Sequence, residues 1–187
     1  MQNDITKALE VLKKGGVILY PTDTIWGLGC DATNPKAVER IYQIKQRSDQ
    51  KSMLVLLDNP NKIPSYINEI PEIAWDLIEL TDKPLTIIYA GAKNLASNLI
   101  AEDGSVGIRI SEDPFNQKLI QKFQKPLVST SANKSGERSP SNFSEISLKI
   151  IESVDYVVQW RQDDYSPSQP SSILKLGING EIEIIRK

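Results

Sequence analysis

The segment Val17-Ile18-Leu19-Tyr20-Pro21-Thr22-Asp23-Thr24-Ile25-Trp26-Gly27-Leu28-Gly29 joins an apolar run to a polar loop. Its first four residues predict a short buried β-strand that ends at Pro21. The loop that follows carries two threonine hydroxyls, a carboxylate and two glycines, and it could be an ordinary turn whose threonines bond their own backbone. In open α/β sheets, however, ligands bind where strands end in loops, so this loop is also a candidate binding site.

Helices are predicted on both sides of this strand. Apolar residues at helical spacing predict a helix over about residues 3–14, which stops at Gly15-Gly16. Asn34-Pro35 is a typical helix start, and a second apolar strand follows over residues 53–57. The first part of the chain is therefore predicted to be strand, loop, helix and strand.

The alternation of helices and strands continues to the C-terminus. Further helices are predicted from Pro71, over residues 115–124 behind Asp113-Pro114, and over residues 141–151. Further strands are predicted over residues 85–90, 106–110, 126–129, 156–158, 172–176 and 182–185. The alternation indicates an α/β or α+β fold with a mixed sheet. The linker-like segment 162–171 is too short to separate domains, so we expect one domain over residues 1–187.

The composition excludes several kinds of catalytic site. Cys30 is the only cysteine among 187 residues, and the chain has no histidine. Disulfides within the chain, cysteine zinc clusters, His-ligated metals and Ser-His-Asp or Cys-His catalysis are therefore impossible. Any chemistry must use Lys, Arg, Asp, Glu, hydroxyls, amides or a bound ion.

The charge and hydropathy patterns point to a cytoplasmic protein. The net charge of −2 gives no global sign of a nucleic-acid or membrane partner, although 22 Lys and Arg residues could still form a local basic face. No apolar run approaches the ~20 residues of a membrane span. The N-terminus also lacks the apolar core of a signal peptide.

Two further polar segments are candidate sites. Lys45-Gln46-Arg47-Ser48-Asp49-Gln50-Lys51 ends the second predicted helix, and by itself it is more typical of a solvated helix terminus than of a phosphate-binding cluster. Ser129-Thr130-Ser131-Ala132-Asn133-Lys134-Ser135-Gly136 follows a predicted strand and is as typical of an ordinary polar loop as of a binding loop. No Gly-Lys-Ser/Thr triplet occurs, so the chain has no P-loop.

Taken together, these segments resemble the YrdC-like family of threonylcarbamoyl-AMP synthases, which combines PTDT-x-x-GLG, K-x-R and S-x-N in this order. The resemblance covers nearly the whole chain, including Gly107-Ile108-Arg109. It implies a twisted mixed sheet flanked by helices, with a positively charged concave face. We expect no additional C-terminal domain of the kind that longer relatives carry. The chain departs from many members at Trp26, where they have tyrosine, and at Lys51-Ser52, where they have Lys-Pro.

The resemblance also implies an activity. Family members are nucleotidyltransferases that make threonylcarbamoyl-AMP and pyrophosphate from L-threonine, bicarbonate and ATP with Mg²⁺. Partner proteins then transfer the threonylcarbamoyl group to an adenosine beside the anticodon of tRNA, and we expect at most weak tRNA or double-stranded RNA binding by this chain alone. The reaction needs no protein nucleophile, because positioning and electrostatics can supply most of the catalysis.

Individual residues are assigned by the same motifs. The expected catalytic residues are Lys45, Arg47, Ser131 and Asn133. The expected ATP-binding residues are Lys45, Arg47, Asn133, Ser141 and Arg186. The expected threonine-binding residues are Thr22, Arg109, Ser131 and Ser171. Asp23 and Asp49 are candidate Mg²⁺ ligands only because they lie beside the relevant loops. Without the resemblance, Arg109 could equally be a surface arginine on an edge strand.

Three other functions remain open. The chain could be a YciO-type paralogue, but such paralogues tend to lose the S-x-N element. It could be a double-stranded RNA-binding or ribosome-assembly module, which the net charge of −2 disfavours. It could also be a carbamoyl-transfer domain of the hydrogenase-maturation kind, but the zinc-finger and acylphosphatase segments that accompany such domains are missing.

Overall fold

A nine-stranded mixed sheet forms the centre of the computed structural model, which describes residues 1–46, 53–166 and 168–187. The strands are β1 (Ile18–Tyr20), β2 (Gly27–Gly29), β3 (Leu54–Leu57), β4 (Leu85–Tyr89), β5 (Val106–Ile110), β6 (Leu127–Ser131), β7 (Tyr156–Val157), β8 (Ser172–Leu176) and β9 (Ile182–Arg186). They lie in the order β7-β1-β2-β6-β3-β5-β4-β8-β9, with parallel and antiparallel neighbours. The predicted fold class is confirmed.

Helices flank the sheet. They are α1 (Gln2–Lys13), α2 (Pro35–Ile44), α3 (Ile73–Leu80), α4 (Pro114–Phe123) and α5 (Leu148–Ser153). The side chains of Asn34 and Asp113 accept hydrogen bonds from the backbone N–H groups that open α2 and α4, as the sequence predicted. None of the helices in the described parts of the chain is long and apolar enough to cross a membrane.

Two sequence predictions are wrong in part. The stretch Gly27–Gly29, predicted as loop, is a strand that pairs with β1 on one side and β6 on the other. Glycine has low β-propensity, so this strand depends on its neighbours rather than on its own residues. The predicted helix over residues 141–151 is a 3₁₀ turn at Phe143–Glu145 followed by α5, because Asn142 caps the turn and Ser147, which is extended, starts a separate helix.

Alternate strand residues face two separate cores. Ile18, Tyr20 and Leu56 pack against α1 and α4 on one face, which we call the front. Leu19 and Val55 pack with α2 on the rear face. The front residues of β4, β5 and β8 instead line a cavity. The two helices therefore leave one part of the front face open for a ligand.

Gly29 lets β2 lie close to its neighbours. A Cβ there would lie 2.5 Å from Cε1 of Tyr20 and 3.0 Å from the carbonyl oxygen of Val128. Replacing a strand glycine by alanine at a compatible site usually stabilises, because it restricts the unfolded chain. Here we expect Gly29→Ala to lower the free energy of unfolding by about 1–3 kcal/mol through overpacking.

Urea denaturation followed by circular dichroism would measure this loss. Because the Tyr20 ring is the nearest obstacle, Gly29→Ala should cost less in a Tyr20→Leu background than in the wild-type chain. Fully additive costs would mean that the ring is not the obstacle.

Candidate functional site

A cavity of about 370 Å³ lies on the open part of the front face. Strands β2, β4, β5, β6 and β8 contribute to its walls, together with the loops that follow β1 and β6. The described residues that line it include three cationic side chains, Lys45, Arg109 and Arg186, many Ser and Thr hydroxyls, and no acidic side chain. Cations and hydroxyl donors without carboxylates are suited to an anionic ligand.

Arg109 lies at the centre of the sheet and is only 3% exposed. Strand β5 runs between β3 and β4, so the interpretation as an edge-strand surface arginine is wrong. Arg109 and Gly107 share the front face and both line the cavity, as the alternation of the strand indicates. The Nη2 atom lies 3.1 Å from Oδ1 of Asp23, while the buried Nε has no hydrogen-bond partner among the described residues. The guanidinium therefore has an unused donor.

Arg186 reaches the same cavity from β9, at the edge of the sheet. Its Nε donates to the carbonyl oxygen of Ser171 at 2.9 Å, and the Ser171 hydroxyl lies 2.8 Å from that of Thr86. Burial and the positive charge of Arg109 lower the pKa of Arg186. Because both guanidiniums line the cavity, they favour an anionic ligand there.

Lys45 joins the end of α2 to the S-x-N loop after β6. Its Nζ donates to the carbonyl oxygens of Ser131 at 2.5 Å and Asn133 at 2.7 Å. Its own carbonyl oxygen accepts from the backbone N–H of Ser135 at 3.0 Å. Lys45 therefore shapes this loop as well as adding positive charge to the cavity. These contacts span 86 and 88 residues, so no local sequence pattern indicates them.

Asn133 is held by its amide nitrogen. Nδ2 donates to the carbonyl oxygens of Lys134 at 2.9 Å and Glu137 at 2.7 Å. These two bonds identify the other amide atom as the oxygen, because a carbonyl oxygen could not donate to them. This Oδ1 is buried and has no partner within the described part of the chain. The loop thus fixes the orientation of an amide that lines the cavity.

The loop between β1 and β2 is held by its own threonines. The Thr22 hydroxyl donates to the carbonyl oxygen of Ile25 at 2.8 Å and accepts from the backbone N–H of Thr24 at 3.1 Å. Thr22 lines a smaller neighbouring pocket, whereas Thr24 and Trp26 line the main cavity. Thr22 was predicted as a site residue and Thr24 was not, although the PTDT motif contains both.

The structure brings most of the predicted site residues together. Those that line the main cavity are Lys45, Arg109, Ser131, Asn133, Ser171 and Arg186. Thr22 and Ser141 line the smaller neighbouring pocket. Arg47 and Asp49 lie outside the described residues. Thr86 was missed because only the pairing of β4 with β5 and β8 brings it to the cavity. The roles assigned to these residues from the motifs stay predictions.

Comparison with known proteins gives a family match. The family model Sua5_yciO_yrdC, described as "Telomere recombination", matches residues 10–187. The protein named threonylcarbamoyl-AMP synthase of Pseudoalteromonas translucida is 35% identical over 184 residues, which cover 97% of this chain and 97% of that protein.

Two solved structures have the same fold. E. coli YciO is 27% identical with a TM-score of 0.86, and the match covers 100% of this chain and 90% of that one. P. abyssi Sua5, solved in complex with L-threonine, is 22% identical with a TM-score of 0.82. That match covers 92% of this chain and 50% of the Sua5 chain, so this chain spans about half of its length.

The anion preference of the cavity can be measured with inorganic pyrophosphate. We expect Arg186→Gln to weaken pyrophosphate binding roughly ten- to a hundredfold, because a charge-assisted hydrogen bond contributes ~1.5–3 kcal/mol. Calorimetric titration would give the dissociation constants. Arg40→Gln is the matched control, since Arg40 pairs with Asp155 and does not line the cavity. Equal weakening in both variants would contradict a specific anion site.

Proposed function

We propose, because this chain belongs to the Sua5/YciO/YrdC family, that it synthesises threonylcarbamoyl-AMP from L-threonine, bicarbonate and ATP and releases pyrophosphate. The observation that carries the proposal is the cavity that combines three cationic side chains with hydroxyls and has no carboxylate among its described lining residues. The relative of equal length that is named for this activity supports it. The product would serve the modification of tRNA next to the anticodon.

The chemistry can proceed by positioning and electrostatic stabilisation, without a protein nucleophile. The threonine amine attacks the carbon of bicarbonate, water leaves, and a carbamate forms. An oxygen of the carbamate then attacks the α-phosphorus of ATP, and pyrophosphate leaves with the electrons of the broken P–O bond. Because AMP is transferred to the carbamate, the enzyme would be a nucleotidyltransferase. No step needs histidine or a covalent intermediate on the protein.

Arg109 is the residue best placed for the threonine carboxylate. Its guanidinium lines the cavity and keeps an unpartnered Nε, and a guanidinium can bind a carboxylate through two parallel hydrogen bonds. Ser171 is at the same end of the cavity, since its hydroxyl contacts Thr86 on the strand beside Arg109. This end is therefore the proposed threonine subsite.

The nucleotide would occupy the side of the S-x-N loop. Lys45 orders this loop through the carbonyl oxygens of Ser131 and Asn133. Arg186 would contact the triphosphate from the sheet edge, and because its Nε donates to the carbonyl oxygen of Ser171 it would lie where the two substrates meet. Bicarbonate, the carboxylate and the triphosphate are all anions, so fixed positive charge between them lowers the repulsion that opposes their approach.

Mg²⁺ would bind at this site together with the nucleotide. Within the described residues no group of three or more acidic or cysteine side chains could hold a metal ion. Of the two candidate ligands, Asp23 is paired with Arg109, and Asp49 lies outside the described residues. Mg²⁺ is commonly held by substrate phosphates, its waters and one or two carboxylates. When bound, it would neutralise charge on the triphosphate.

A YciO-type activity is the second candidate, and the structural match to E. coli YciO over the whole chain favours it. The S-x-N loop favours the synthase activity, because hydrogen bonds of Lys45 and Asn133 fix this loop at the wall of the cavity. The two candidate activities can be distinguished by the substrates that each one requires.

The partners that we propose are proteins that consume the product.

The first test is therefore the substrate requirement of the reaction. The purified chain should release pyrophosphate from ATP only when L-threonine, bicarbonate and Mg²⁺ are all present, because each is needed to form or neutralise a reacting group. A coupled pyrophosphate assay with each component omitted in turn would measure it. Turnover that ignores threonine would favour the YciO-type alternative.

The threonine subsite is tested by Arg109→Lys. A lysine cannot reproduce a bidentate contact with a carboxylate, and the contact is the same before and during reaction. We therefore expect the KM for threonine to rise roughly ten- to a hundredfold with little change in kcat. ATP affinity without threonine, measured by calorimetry, should barely change. If the variant loses ATP affinity but still binds threonine, Arg109 contacts the nucleotide and not the threonine carboxylate.

A further inference from the structure

We infer that Asp23 is a positioning residue, whose carboxylate holds the Arg109 guanidinium so that its remaining donors face the substrate carboxylate. The inference rests on the proposed function, and its test is arranged so that either one can fail alone. The sequence motifs assign Asp23 no such role.

The first observation is the burial of both charges. Arg109 is 3% exposed and the Asp23 side chain 13%, and Nη2 lies 3.1 Å from Oδ1. Removing a guanidinium from water is costly unless a counter-charge accompanies it. Asp23 is the one acidic side chain within ion-pair distance of Arg109 in the described part of the chain. The pair thus makes a cation at the centre of the sheet compatible with folding.

The second observation is that the pairing leaves Arg109 donors unused. The contact with Asp23 is an ion pair through Nη2 that lacks hydrogen-bond geometry, because neither Oδ1 of Asp23 nor Nε of Arg109 has a hydrogen-bond partner among the described residues. A guanidinium carries five N–H donors, so a second carboxylate can bind while Asp23 stays in place. The carboxylate of Asp23 therefore holds the guanidinium by charge and leaves its hydrogen-bond donors available to a second carboxylate.

The third observation is that Asp23 acts from outside the cavity. Arg109 lines the front cavity, whereas Asp23 lines a separate small pocket behind it, with Ile108 and Ile110 of the rear face. Asp23 therefore reaches the substrates through Arg109. An Mg²⁺ ion at Asp23 would also meet the positive charge of Arg109, which disfavours a second cation there.

The fourth observation is that hydrogen bonds fix the backbone of the loop on both sides of Asp23. The Thr22 hydroxyl bonds both to the backbone N–H of Thr24 and to the carbonyl oxygen of Ile25. Arg161 donates to the carbonyl oxygen of Thr22 at 3.2 Å and to Asp113 at 3.0 Å. These bonds enclose Asp23 in a closed turn. They also give Thr22 a structural role in this loop, although Thr22 does not line the main cavity.

Asp23→Asn is the variant that tests the inference. It keeps the shape of the side chain and removes the charge that aligns Arg109. We expect the KM for threonine to rise about tenfold, while kcat, the KM for ATP and the Mg²⁺ requirement stay within about twofold of wild type. In an Arg109→Gln background the same change should add little to the threonine KM, because the residue it acts through is gone.

Two companion variants complete the experiment. Asp31→Asn removes another buried carboxylate, 6% exposed and paired with Lys125 at 2.6 Å, that does not line the cavity. It should lower thermal stability and leave the threonine KM unchanged. Asp23→Glu keeps the charge balance, so it should fold even if Asp23→Asn does not, and its longer side chain should still raise the threonine KM.

The outcomes separate the inference from the proposed function. A wild-type chain without threonine-dependent turnover would overturn the proposed function. A wild-type chain that is active, with an unchanged threonine KM in Asp23→Asn or Asp23→Glu, would overturn the inference alone. If Asp23→Asn needed more Mg²⁺ for activity while its KM for threonine stayed unchanged, Asp23 would be a metal ligand and not a positioning residue. Fully additive effects with Arg109→Gln would show that Asp23 does not act through Arg109.

Discussion

The burial of Arg109 at the centre of the sheet is the constraint on which the site depends. A guanidinium in this position must be neutralised, and Asp23 does so from the loop between β1 and β2. That loop must therefore return to the end of β5, which lies on the far side of β6 and β3 in the sheet. Pairing of β2 with β1 and β6, for which Gly29 leaves room, allows this path.

The cavity concentrates positive charge in a chain whose net charge is −2. Lys45, Arg109 and Arg186 come from the end of α2, from β5 and from β9, and the first and last of them are separated by more than half of the sequence. Acidic residues near the site, such as Asp23 and Asp113, are paired with arginines rather than directed into the cavity. The net charge of the chain therefore does not predict the charge of the cavity, because the electric field at a site depends on which charged residues the fold brings together.

The division of the sheet into two faces explains how a small domain keeps both a core and a binding site. The rear face is covered by an apolar core that includes α2. On the front, α1 and α4 cover one part, and the front residues of β4, β5 and β8 line the cavity. A rigid sheet beneath the cavity suits a reaction that depends on holding two anionic substrates in line, since small displacements would lengthen the path of attack.

Much of this molecule could be predicted from the sequence, because the signals involved are local. Apolar periodicity indicated most of the helices and strands, and Asn34 and Asp113 marked two helix starts that their own side chains cap. Alternation along β5 placed Arg109 and Gly107 on one face. The strand Gly27–Gly29 and the contacts of Lys45 could not be predicted, since they depend on partners distant in sequence. Only the tertiary structure decided that Thr24 lines the cavity instead of Thr22, and that Asp23 pairs with a buried arginine, because long-range packing determines the surroundings of each side chain.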